Sequence, residues 1–242
     1  MAYMIKDKKI LTIITARKGS KGLKDKNIKK INGKEMFLWP VDAAKRSKYI
    51  DLVTISTDSE KIIRISKKKN IYVPFKRPVG LSGDKSSSID AIVHAINFFK
   101  KKKLFFDYVI ILEPTSPLTL TKDIDRAIEL VVKKDADSLI SLYETSRYHH
   151  SYHYKMLRNR RVKSLFNIKK NKRRQDLSKT FFMDGSLYIS KVDYLLKNKS
   201  LVGVNTIGFE TSKVKSFEID DLIDYEIIKF LKKNEKKFQK RK

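Results

Sequence analysis

Apolar positions along this chain come in short blocks set apart by polar breaks, and the blocks switch between two periods. Residues 10–15 and 108–112 are nearly continuous apolar runs, the pattern of strands covered on both faces. Residues 88–99 place Ile89, Ile92, Val93, Ile96 and Phe99 at helical spacing. The same reading predicts helices over 37–46, with Pro40 tolerated near the start, over 60–68, capped by Asp58 or Ser59, and over 122–133. Strands are predicted over 52–57, 71–73 and 138–143, and Pro114 and Pro117 stop the strand at 108–112 abruptly. Alternating strand and helix predicts an α/β fold built on a mostly parallel sheet. Through residues 144–182 the periodicity fades into aromatic, histidine and basic residues, a stretch too long for an ordinary connection, so it reads as an inserted arm or subunit contact. Regular patterning resumes with strands over 185–189 and 202–209 and a final helix over 221–232, whose Leu222, Ile223, Tyr225, Ile228 and Leu231 suit a core face. Residues 234–242 read as a frayed basic tail.

A length of 242 residues suits one domain spanning 1–242. The absence of cysteine excludes disulfides, cysteine zinc sites, iron–sulfur clusters and thiol catalysis. With no secretory pattern at the start and no apolar stretch near the roughly 20 residues of a membrane span, a cytoplasmic protein with no membrane contact is expected. The formal charge of +28 changes this picture little. Lysines are spread through nearly every segment, with short runs at 67–69, 100–103, 169–172 and 236–242 and no single stripe. They read as solvated faces that draw in anionic small molecules, and no specific nucleic-acid partner is expected.

The strongest chemical signal is Ala16-Arg17-Lys18-Gly19-Ser20-Lys21-Gly22, followed by Lys26-Asn27, directly after the first strand. Glycines let backbone N–H groups approach phosphate oxygens, and Arg17 and Lys21 can offset charge growing on a departing pyrophosphate. The spacing is neither a Walker loop nor a dinucleotide Gly-x-Gly-x-x-Gly. His149, His150 and His153 lack the flanking carboxylates of a zinc signature. Trp39, the one tryptophan, reads as buried packing.

These residues resemble the signature A-R-x-x-S-K-G-x-x-x-K-N of the CMP-sialic acid synthetases, cytidylyltransferases that activate sialic acid and related nine-carbon acidic sugars. The resemblance continues through Asn32-Gly33-Lys34, Val53 to Asp58, Arg77-Pro78, Leu81 to Ser88, Pro114 to Pro117 and Arg173 to Leu177. It implies a three-layer α/β/α nucleotidyltransferase-like fold with a dimerisation arm at 144–182, a homodimer, and transfer of CMP from CTP to a nonulosonic acid with release of pyrophosphate. By the same resemblance Arg17, Ser20, Lys21, Gly22, Lys26 and Asn27 hold the nucleotide phosphates, and Arg77, Ser86 and Ser88 approach cytosine and ribose. Ser88 suits equally a helix N-cap. Glu218-Ile219-Asp220 resembles the family's Asp-Ile-Asp metal signature, and carboxylates two apart on an extended segment share one side, which suits Mg²⁺. Helix capping by Asp220 or Asp221 is the other role open there. Arg17, Lys21 and Asp220 are the expected catalytic residues. Glu113 stands where the family commonly has Gln, an acceptor in place of an amide, and Arg174 and Gln175 match its Arg-Gln pair beside the acidic sugar. Phe182 replaces a frequent Arg, and Asp184 the usual Asn before Gly185. The rival readings are a Kdo-type cytidylyltransferase and a non-catalytic basic protein that binds nucleic acid.

Overall fold

The computed structural model describes residue 5 and residues 7–19, 22–83, 86–145, 148–166 and 173–239. Its strands are β1 (Ile10–Thr15), β2 (Lys30–Ile31), β3 (Lys34–Glu35), β4 (Leu52–Ser56), β5 (Tyr108–Leu112), β6 (Ser138–Glu144), β7 (Tyr154–Met156), β8 (Val162–Ser164), β9 (Phe181–Lys191) and β10 (Thr206–Thr211). Six of them make the main sheet, in the order β10-β6-β9-β5-β1-β4. β1 runs parallel to β4 and β5, and β6 parallel to β10. β9 is antiparallel to both its neighbours, β5 and β6, so the sheet is mostly parallel, as expected.

The helices are α1 (Leu38–Lys45), α2 (Glu60–Lys68), α3 (Ser88–Lys101), α4 (Thr121–Lys133), α5 (Val192–Asn198), α6 (Leu222–Lys233) and α7 (Glu235–Gln239). Because successive strand side chains point to opposite faces, Ile10, Ile14, Ile110 and Leu112 pack with Val41, Ile62, Ile124 and Ile128 from α1, α2 and α4. Leu11, Ile13, Val109 and Ile111 pack with Ile92, Ile96 and Phe99 of α3 and Leu195 of α5. Two helical layers thus cover the sheet, which is why its inner strands are apolar on both faces. A third cluster joins Leu23, Ile31 and Met36 from the region after β1 to Ile219, Ile228 and Leu231, and so draws the end of the chain against the first loop. Lys34 and Lys232 both stand over the half-buried Trp39 ring, 4.2 and 4.1 Å from its centroid. Lys232 also donates to the Pro117 carbonyl at 3.2 Å, fastening α6 to the loop after β5.

Several expected boundaries differ. Residues 71–73 form no strand beyond a single bridge between Thr54 and Tyr72. The strand expected at 185–189 extends over Phe181–Lys191 because it pairs on both sides, and that expected at 202–209 starts at Thr206. Leu222 and Ile223 are exposed; α6 buries Ile228 and Leu231 instead, and these two, with Tyr225 beside them, are its members of the third cluster. Part of the supposed tail, Glu235–Gln239, is helical, and Phe238 packs beside the third cluster.

Within residues 144–182, β7 and β8 form an antiparallel hairpin that leaves Tyr154, Met156 and Val162 exposed. His149 is buried and structural: its Nε2 lies 3.0 Å from the Ser178 carbonyl, and its Nδ1 accepts the Ser151 N–H at 3.1 Å. Among the described residues there is no group of three or more His, Asp or Glu placed to hold a metal, and no helix long and apolar enough to cross a membrane.

Candidate active site

A cleft of about 700 Å³ opens at the carboxyl ends of β1 and β5 and the first half of β9, within the size range of small-molecule sites and where loops converge in open α/β sheets. Arg17, Gly22, Lys26 and Asn27 line one side. Lys26 Nζ donates to the Ile219 carbonyl at 2.8 Å and to Asp220 Oδ1 at 3.1 Å, bridging 194 residues of chain. Asn27 donates through Nδ2 to the Arg17 carbonyl at 2.9 Å, which ties the start of the loop to its end. The reason for Gly22 is steric: a Cβ there would sit 2.2 Å from the Asp220 carbonyl oxygen, so only glycine lets the loop lie against the acidic segment. The acidic segment is fixed in turn by the Ile219 N–H, which donates to the Thr115 carbonyl at 3.0 Å.

The acidic residues divide their work. Asp221 caps α6, accepting the Asp224 N–H at 2.9 Å in a capping box, whereas Asp220 has its side chain largely exposed in the cleft. Glu218 lines the same cleft, as two carboxylates of one parity should. Burial raises the Glu218 pKa, the Asp220 charge adds to the rise, and Lys26 opposes it. Glu218 and Asp220 are two hard oxygen donors on one cleft, and only Asp220 has an ion pair to Lys26 among the described contacts, a donor set that suits a hard divalent cation.

Arg77, Ser86, Ser87 and Ser88 line another side. Arg77 is buried, and burial lowers its pKa, with Arg17 adding to the effect and Asp58 and Glu113 opposing it. Ser87, not Ser88, caps α3, accepting the Ile89 N–H at 3.1 Å; Ser88 is the first helical residue and is free for the cleft. Ser86 Oγ donates to the Gly80 carbonyl at 3.0 Å. Of the two capping candidates for α2, Ser59 serves, and Asp58 instead accepts the Lys18 N–H at 2.7 Å.

At the far end stand Glu113, Phe182, Met183, Gly185 and Tyr188. The Thr15 hydroxyl lies 3.1 Å from each Glu113 carboxylate oxygen. Burial pushes the Glu113 carboxyl up to about 7; Glu218 adds to the rise, while the Thr15 bond, Arg77 and Lys26 counter it. Tyr188 is pushed up to about 12 by burial and by the acidic groups Glu113, Glu218 and Asp184.

Residues 11–242 match the family described as cytidylyltransferase. The chain belongs to that family. It is 36% identical over 226 residues to the CMP-N,N'-diacetyllegionaminic acid synthase of Campylobacter jejuni, covering 92% of this chain and 94% of that protein. The same identity and coverage hold for post-translational flagellin modification protein B of Campylobacter coli. In fold it is similar to a solved CMP:2-keto-3-deoxy-manno-octonic acid synthetase complexed with CTP, at 18% identity and a TM-score of 0.72, covering 94% of this chain and 99% of that one.

The fold brings Arg17, Gly22, Lys26, Asn27, Arg77, Ser86, Ser88, Glu113, Glu218 and Asp220 to the lining of this one cleft. Ser20 and Lys21 lie outside the described residues, as does the Arg174 side chain. Gln175 is exposed and does not line this cleft. Asp184 is corrected from a sugar-side difference to a structural one: it is buried among Ser141, Ser186 and Thr211, accepting the Ser186 N–H at 3.0 Å and hydroxyls from β6 and β10. Thr15, Met183 and Tyr188 escaped the sequence reading. A polar residue closing an apolar strand is the signal for Thr15; Tyr188, between core residues Leu187 and Ile189, carries none beyond its alternation onto the other face.

Proposed function

We propose that this enzyme transfers CMP from CTP to a nonulosonic acid in this cleft, the anomeric hydroxyl oxygen forming a bond to the α-phosphorus and losing its proton to solvent as the bond to the bridging oxygen breaks and pyrophosphate leaves. The observation that carries the reading is the contact of Gly22 and Lys26 with Asp220, which sets a basic phosphate loop directly against a carboxylate pair. Catalysis in this scheme is positioning and charge neutralisation. Arg17 and Lys21 offset charge on the departing pyrophosphate, while Ser20, Gly22, Lys26 and Asn27 hold the triphosphate in line. Arg77, Ser86 and Ser88 meet the cytosine and ribose. Asp220 and Glu218 would hold Mg²⁺, which supplies charge neutralisation at the phosphates when bound.

Glu113 faces the acidic sugar, and the legionaminic acid synthase among the relatives supports a nine-carbon substrate. The exposed apolar residues of the hairpin support a homodimer in which each arm packs on the second copy and delivers Arg174 and Gln175 to its sugar end. The cytoplasm is the proposed compartment, since CTP is held there. Pyrophosphate release with CTP against neuraminic, legionaminic, pseudaminic and Kdo sugars tests the reading. Release with a nine-carbon acid is expected; release with Kdo alone moves the assignment to the eight-carbon reaction. No release with any sugar, together with tight salt-sensitive binding of nucleic acid, overturns it.

A further inference from the structure

The segment Ser56-Thr57-Asp58 has no part in the chemistry above, yet both halves of the nucleotide side are attached to it. Ser56 is wholly buried at the end of β4. Its Oγ accepts Arg77 Nε at 3.0 Å, and its carbonyl accepts Arg77 Nη2 at 2.5 Å and the Ala16 N–H at 3.0 Å. The Thr57 carbonyl accepts the Arg77 backbone N–H at 2.7 Å, and Asp58 accepts the Lys18 N–H. A guanidinium is a rigid planar fork, so fixing Nε and Nη2 fixes its plane before any ligand arrives. The Nη1 group takes no part in these bonds, and Arg77, though only 5% exposed, lines the cleft.

We infer that Ser56 is a positioning residue for base recognition: by holding Nε of Arg77 it presents the remaining edge of the guanidinium to the pyrimidine of the bound nucleotide. This rests on the cytidylyltransferase reading. A serine is needed because an apolar side chain at this buried position leaves a charged donor without its acceptor, and a hydrogen bond to a charged group is worth enough to change affinity about tenfold. The backbone carbonyl of Ser56 survives any substitution, so the loss is one of aim rather than of the whole anchor.

The test compares wild type, Ser56→Ala, Arg77→Lys and the double variant by calorimetric CTP binding, by kcat and KM for CTP, and by melting temperature. Ser56→Ala is expected to weaken CTP binding and raise KM about tenfold, with kcat within about twofold and a folded protein. In the Arg77→Lys background the same substitution is expected to change CTP binding by less than about twofold, because its effect passes through the guanidinium. Ser56→Cys, close in volume but a weak acceptor, is expected to follow Ser56→Ala. Equal losses in both backgrounds, or wild-type CTP affinity in folded Ser56→Ala or Ser56→Cys, overturn the proposal. Wild-type protein that binds no CTP removes the nucleotide reading itself, an outcome distinct from normal wild-type binding with unaffected Ser56 variants.

Discussion

Replacing Gly22 by Ala tests whether the contact between the loop after β1 and the acidic segment sets the proposed chemistry. The new Cβ would lie 2.2 Å from the Asp220 carbonyl oxygen and 3.2 Å from its carbon. A comfortable carbon–oxygen approach is about 3.3 Å, so the two segments must part by roughly 1 Å. Neither is the loose end of a side chain. Lys26 and the Ile219–Thr115 hydrogen bond hold the acidic side, and Leu23 is packed with Ile219 in one cluster. Overpacking of this kind costs about 1–3 kcal/mol of stability, which a folded domain of this size can absorb. Function should suffer more: a displacement of about 1 Å between reacting groups costs on the order of 100-fold in rate. Initial rates of pyrophosphate release at saturating CTP, with melting curves alongside, provide the assay. Gly80→Ala is the control, because nothing lies within 4 Å of a Cβ there. A folded Gly22→Ala enzyme within about twofold of the wild-type rate would refute the idea that this contact positions the reaction.

Asp220→Ala should lower turnover by two orders of magnitude or more with the circular dichroism spectrum retained, whereas Asp221→Ala should cost about 1 kcal/mol in melting measurements through its lost cap and leave turnover within about tenfold. The reverse pattern would exchange their roles. Asp184→Ala removes a buried acceptor of several hydrogen bonds and should destabilise by about 3 kcal/mol, while Asp184→Asn should leave the ranking of sugar substrates unchanged; an altered ranking would return Asp184 to the sugar site. With the Glu113 carboxyl at about 7 rather than 4.5, the folded protein holds a proton that the unfolded chain releases, so this group's contribution is full below about pH 4.5 and falls by at most about 3 kcal/mol as pH rises through 7. Glu113→Gln has no such proton, so its melting temperature should gain on wild type between about pH 5 and about pH 8, and an equal gap at both ends would refute the shift.

The layered fold is legible in the sequence because a strand covered on both faces must be apolar throughout, as in Tyr108–Leu112, and a helix on a sheet must be apolar on one side, as in Ser88–Lys101. The loop after β1 is legible for a different reason: it follows a strand and carries glycine and cations in one run. What sequence hides is the partner of each group. The Asp58 carboxylate meets a backbone N–H, a donor carried by almost every residue type, so no side-chain pattern marks Lys18 as its target. Asp184 looks like a change in ligand chemistry until Ser141 and Thr211, on two other strands, are seen to enclose it. Leu222 and Ile223 satisfy the helical period yet stay in solvent, because periodicity specifies a face and not where along the helix that face finds a neighbour.

Glu113 shows how a fold can change the meaning of a residue. By formula a carboxylate only accepts hydrogen bonds, and beside Glu218 it would repel an acidic substrate. Desolvation at the end of β5 raises it to about 7, so the neutral carboxyl is present alongside the carboxylate near neutral pH. A protonated carboxyl donates one hydrogen and accepts through its other oxygen, the pairing capacity of one edge of a glutamine amide. The exchange of Gln for Glu at this position therefore preserves more of the hydrogen-bonding pattern than the change in formal charge suggests. The Thr15 hydroxyl, within 3.1 Å of both oxygens, can donate to the charged form or accept from the neutral one, so either state has a partner in place. The protonation balance of Glu113 is set by Glu218, Arg77 and Lys26, and so belongs to the folded arrangement of four distant segments rather than to position 113 alone.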